Sequence, residues 1–133
     1  MEDWFYFNRN TKVLYLNFDT SKVKRFGYSW CSYYSKLTYV YGKPIDLSLC
    51  GDIGGSFNCG SLQIITFVPG SIKKSIRFSA CSNLTKDSVS SIIEGLTDLT
   101  GQTSEKLILS ATVKSTLSVD QISSITSKNW ILE

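Results

Sequence analysis

Cysteine-anchored segments recur along this chain at a near-constant interval. They read Trp30-Cys31-Ser32 leading to Leu37, Asn58-Cys59-Gly60-Ser61-Leu62 and Ala80-Cys81-Ser82-Asn83-Leu84. The last two share Cys-x-x-Leu, and the first carries three extra residues before its leucine. Upstream, Asn8-Arg9-Asn10-Thr11-Lys12-Val13 has Arg9 in the cysteine slot. Anchors at 9, 31, 59 and 81 are therefore 22, 28 and 22 residues apart. A unit of this length cannot cover its own apolar face, so such units bury a core only by stacking on their neighbours.

Each anchor is followed by a short apolar segment rich in β-branched and aromatic residues, as strands are. These are Val13-Leu14-Tyr15-Leu16, Leu37-Thr38-Tyr39-Val40-Tyr41 and Leu62-Gln63-Ile64-Ile65-Thr66-Phe67. Alignment on Val13, Leu37 and Leu62 puts Leu16, Val40 and Ile65 in one interior row. Phe18, Gly42 and Phe67 fall in a second interior row. The alternate positions face outward. They hold Tyr15, Asn17, Tyr39, Tyr41, Ile64 and Thr66.

Residues 85–133 change character. Thr85 is placed to cap a helix carrying Val89, Ile92, Ile93 and Leu96 at i, i+3, i+4, i+7, with Gly101 closing the segment. Lys106-Leu107-Ile108-Leu109 reads as a strand. Ser118 and Gln121 have capping-box spacing before a second helix marked by Val119, Ile122 and Ile125. Lys128-Asn129-Trp130-Ile131-Leu132 closes as a strand. Helical connections between such strands imply a parallel, right-handed α/β arrangement.

The Cys-x-x-Leu units, Ile92-Ile93-Glu94-Gly95-Leu96-Thr97-Asp98-Leu99-Thr100-Gly101 and Lys106-Leu107-Ile108-Leu109 together resemble the bacterial surface-antigen type of leucine-rich repeat. The ending, Leu117-Ser118-Val119-Asp120-Gln121 through Lys128-Asn129-Trp130-Ile131-Leu132, is similar to the closing cap of such repeats in phage fibre and virion proteins and gut-bacterial surface proteins. The resemblance covers residues 56–133 best. It implies an α/β fold: a short right-handed leucine-rich-repeat-like solenoid with a helix-strand-helix-strand C-terminal cap. One domain would span residues 1–133, with degenerate repeats over 1–84 and the cap over 85–133. It further implies no catalytic residues and a role in attachment, recognition or assembly.

Composition narrows the chemistry. The absence of histidine removes Ser-His and Cys-His nucleophile pairs and the commonest zinc nitrogen ligand. The four cysteines form no Cys-x-x-Cys pair, so they read as buried thiols, with disulfides left open, rather than a zinc site. Asp19, Asp46 and Asp52 read as turn carboxylates, and Gly51-x-x-Gly54-Gly55 as a turn lacking the Lys-Ser/Thr of a phosphate loop. A net charge of +3 is too weak to imply nucleic acid. The basic clusters Lys22, Lys24, Arg25 and Lys73, Lys74, Arg77 read as solvated faces. No secretory signal opens the chain and no run approaches a membrane span, so synthesis in a cytosol is expected.

Aromatic asymmetry is the strongest functional cue: thirteen of seventeen aromatics lie in the first 41 residues. Tyr and Trp supply stiff, amphipathic contact area. Tyr15, Tyr39 and Tyr41, beside Asn17 and Thr66, are therefore candidates for a partner-binding face. Trp4, Phe5 and Tyr6 are candidates for an end cap or subunit contact. The expected role is non-enzymatic and free of cofactor and metal: a phage virion component, fibre or decoration protein, forming a homo-oligomer. Its partners would be other virion subunits or a host-surface protein or glycan, without nucleic acid or membrane insertion. The alternative is an adhesion or protein-binding module on a bacterial cell surface.

Overall fold

A computed structural model describes residues 10–26, 36–53 and 57–133. Trp4, Phe5, Tyr6 and the Cys31 anchor lie outside the described residues. In chain order the elements are β1 (Val13–Leu16), β2 (Tyr39–Gly42), β3 (Ile76–Phe78), α1 (Lys86–Gly95), β4 (Glu105–Leu109), α2 (Ala111–Lys114), α3 (Val119–Ser127) and β5 (Trp130–Leu132). β1 and β2 form one parallel sheet, and β3, β4 and β5 a second, also parallel, in that order.

Local chemistry explains the helices. Thr85, Ser110 and Ser118 each adopt extended backbone, and their side-chain oxygens accept an N–H from the first turn of α1, α2 and α3. Ser118 and Gln121 complete a capping box, as their spacing suggests. Lys128 Nζ then donates to the carbonyls of Ile93 and Leu96 at 3.0 and 3.1 Å at the carboxyl end of α1, where the Ile93 carbonyl also takes Leu96 N at 3.3 Å. Trp130 Nε1 donates to the Thr97 carbonyl at 2.8 Å, so a large buried ring also has its polar atom paired.

The expected solenoid is corrected. The described backbone forms two separate short sheets, linked elsewhere by single bridges and not by a continuous ladder. The break next to β2 has a local cause. Between the bridges Tyr39↔Ile64 and Ile45↔Phe67, one side advances six residues (45 − 39) and the other three (67 − 64). The surplus holds Gly42 at φ +96° and Pro44, which has no N–H to give. On the far side of segment 63–67 the neighbour is helix α1: Ser88 Oγ accepts from Ile65 N at 3.1 Å, and Ser91 Oγ from Phe67 N at 2.9 Å.

The interior row also differs. Leu16, Val40 and Ile65 are all buried, but β1 pairs two residues away from the alignment. Val40 faces Leu14, and Leu16 faces Gly42. A two-residue shift preserves which face each side chain takes, because the strand period is two. The first strand is therefore correctly sided and wrongly paired.

The carboxyl half contains α1, β4, α3 and β5 close to where the sequence suggests, with α2 and β3 unforeseen. α1 stops at Gly95, short of Gly101. Leu96 there bridges Ile72, and Thr97 N donates to the Ile72 carbonyl at 2.9 Å, so the chain leaves the helix to pair. A Cβ on Gly95 would meet Ile72 Cδ1 at 2.9 Å, which explains a glycine inside a packed helix end. α3 buries Ile125 alone and leaves Val119 and Ile122 exposed. One apolar cluster runs from Leu16 to Trp130 and joins both sheets to α1. At its centre Phe57 stacks on Phe78 with centroids 4.6 Å apart, and Phe67 meets both edge-on.

Candidate functional site

β1 and β2 show the alternation of a half-buried sheet. Leu16 and Val40 turn into the core, with Leu14 packed against it. Val13, Tyr15 and Tyr41 remain 50%, 69% and 40% exposed. In register, Val13 lies beside Tyr39 and Tyr15 beside Tyr41. Tyr39, half-buried, bridges to Ile64. The rings of Tyr39 and Tyr41 stack at 5.6 Å with 15° between their planes. Gly42 lets the two strands approach closely: its φ is +96°, and a Cβ there would collide with the Leu16 carbonyl.

Of the residues singled out from sequence, the structure brings Tyr15, Tyr39 and Tyr41 onto one face. Asn17 is exposed just past the end of β1. Thr66 is half-buried, and its carbonyl accepts Ile45 N at 2.9 Å at the edge of the patch. Two members of the patch were not anticipated. Val13 is half exposed and lies on this face beside Tyr39. Lys43 follows β2 with the same parity as Tyr39 and Tyr41, and that parity was its signal. Lys43 N donates to the Leu16 carbonyl at 2.8 Å, which fixes it beside Asn17.

Charge at this end is arranged around Asp19. Its carboxylate accepts Ser21 N at 2.9 Å. That backbone hydrogen bond, then the Ser21 hydroxyl, then the ammonium groups of Lys43 and Lys22 hold the Asp19 carboxyl below its ordinary range. Asp46 makes the same kind of turn, accepting Ser48 N at 2.8 Å. Asp52 pairs with Arg25 at 3.6 Å.

The remaining reactive groups are tied into structure. Cys50, Cys59 and Cys81 are all buried. Cys50 Sγ donates to the Asp52 carbonyl at 3.1 Å, and Cys81 Sγ to the Phe57 carbonyl at 2.8 Å. Burial raises both thiols, and pushes Cys81 up to about 12. A buried, protonated thiol is a poor nucleophile. Burial opposes ionisation of Glu105, but hydrogen bonds from the Ser75 side chain and backbone and from Lys74 outweigh it and keep the carboxyl low. That carboxylate ties the 74–75 turn to β4, since Ser75 Oγ also accepts Lys106 N at 2.9 Å. Lys73, Lys74 and Arg77 are exposed, with Lys74 paired to Glu105 at 3.3 Å.

Among the described residues no three His, Cys, Asp or Glu side chains are grouped to hold a metal ion. Among them, too, no helix is long and apolar enough to cross a membrane. The arrangement on β1 and β2 offers large rings, an amide and an ammonium group on a backed sheet, which suits contact with a second molecule. Searches of protein-family models, curated proteins and solved structures find no match to this chain.

Proposed function

We propose that this chain is a non-catalytic recognition protein that grips its partner with the outer face of β1 and β2. One observation carries the reading. Val13, Tyr15 and Tyr41 are large apolar or aromatic side chains left in water side by side, on a sheet whose other face is packed. Exposed aromatic area on a stiff support releases water on contact while losing little side-chain freedom. The setting proposed is a phage virion, as a fibre or decoration component facing other subunits or a host surface. The likeness of the closing segment, residues 117–132, to virion caps supports that setting.

The test is cosedimentation of labelled protein with purified virions and with host cells. Tyr39→Ala with Tyr41→Ala is expected to lower the bound fraction severalfold, with a melting temperature within about 4 °C of the parent. Full binding by the double variant overturns the reading. Genes for virion parts are expected to flank its own.

A further inference from the structure

Charge is concentrated around the aromatic face. Residues 10–52 contain Lys12, Lys22, Lys24, Arg25, Lys36 and Lys43 against Asp19, Asp46 and Asp52. Asp52 is paired with Arg25, which leaves the lysines as the cations beside the face. Four of these cations bracket β1 and β2. Lys12 directly precedes β1, and its carbonyl accepts Thr38 N and Tyr39 N at 2.8 and 3.1 Å. Lys36 stands at the same end, with Nζ 3.0 Å from Asn10 Oδ1. Lys43 directly follows β2, and it acts on Asp19 together with Lys22. Between the two lysine pairs run strands of four residues, about 13 Å at ~3.3 Å per residue.

From this placement we infer that the outer face of β1 and β2 binds an acidic polysaccharide. Its sugar rings lie on Tyr15, the most exposed ring of the face, and its carboxylate or sulfate groups meet the lysines at the two strand ends, Lys12 and Lys36 at one and Lys43 and Lys22 at the other. The inference rests on the reading of this face as the contact surface, and adds the class of ligand. Asn17 and the tyrosine hydroxyls both donate and accept, which matches the paired character of sugar hydroxyls.

Two other polymers fit less well. Two four-residue strands project on the order of 130 Å², against roughly 800 Å² per partner in a stable protein interface, whose core is also depleted in lysine. A single-stranded nucleic acid stacks its bases on separate open ring faces. Tyr39 and Tyr41 turn ring faces toward each other. The arginine of this region, Arg25, is paired with Asp52.

The experiment is titration calorimetry with polygalacturonate, dextran sulfate, neutral dextran and poly(dT). Binding to polygalacturonate or dextran sulfate is expected, weakening roughly tenfold from about 50 to about 200 mM salt, as release of a few counterions requires. Lys12→Gln with Lys43→Gln, and separately Tyr15→Ser, are each expected to weaken it about tenfold with unchanged circular dichroism. Absence of binding to both polyanions, equal binding of neutral dextran, tighter binding of poly(dT), or unchanged binding by the lysine variant each overturns the inference. The two levels separate cleanly. If both polyanions fail while tyrosine-dependent cosedimentation persists, the ligand class is wrong and the contact face stands. If the tyrosine variant cosediments in full, the contact face itself is wrong.

Discussion

Cys81 shows how one atom records its surroundings. Its Sγ donates to the Phe57 carbonyl at 2.8 Å, and burial carries the thiol from 9.0 up to about 12. The unfolded chain ionises this group near pH 9, whereas the folded chain keeps the proton until about pH 12. The stabilisation is therefore complete below pH 9 and is lost as pH climbs toward 12. Urea midpoints of the parent and Cys81→Ala at pH 8 and pH 10 test this: the parent's margin is expected to shrink by about 1 kcal/mol. A margin that stays constant would show that the thiol is not so held. The thiol's inertness was legible in the cysteine spacing, which lacks any metal-like pair. Its partner was not, because the Phe57 carbonyl is 24 residues away in sequence.

At the scale of elements, backbone groups that a strand would pair are met by a helix. Ser88 Oγ accepts from Ile65 N at 3.1 Å and donates to the Gln63 carbonyl at 3.0 Å. One hydroxyl thus occupies the place of a neighbouring strand's peptide group. Ser88→Ala leaves the Ile65 N–H without its acceptor, while the Gln63 carbonyl keeps Thr85 N at 3.0 Å, and is expected to cost about 1–3 kcal/mol in urea unfolding. Ser90→Ala, on the same helix, is expected within about 0.5 kcal/mol. Equal effects would refute the bridging role. Sequence patterning located these elements well where the signals are local. Thr85 and Ser118 announce helix starts through bonds three residues long. Register is another matter. β1 pairs through Lys12, Leu14 and Leu16 with residues 26 positions on, and nothing within Val13–Leu16 distinguishes that pairing from one two residues away. β3, only three residues long, is too short for a period to declare itself.

In the molecule as a whole, the two sheets share one apolar cluster from Leu16 to Trp130, with Phe26, Phe57, Phe67 and Phe78 joining them. A shared core unfolds as a unit. Tyrosine absorbance, which reports mainly on the first half of the chain, and far-ultraviolet dichroism, which reports on α1 and α3, are expected to give the same urea midpoint. Two separated midpoints would divide the chain into independent parts. The amino-acid order alone settles which side of β1 and β2 turns inward, where α1 and α3 begin, and that residues 10–43 are rich in aromatic and cationic side chains. These depend on periodicity, short-range caps and composition, all of which act over a few residues. Whether the strands join into one ladder is decided only on folding. There the three surplus residues between Tyr39 and Ile45, and the serine hydroxyls of α1, break the pairing and leave two sheets. The reason is physical: a backbone N–H takes whichever acceptor the packed core brings within 3 Å, and that choice is made between segments far apart in the chain.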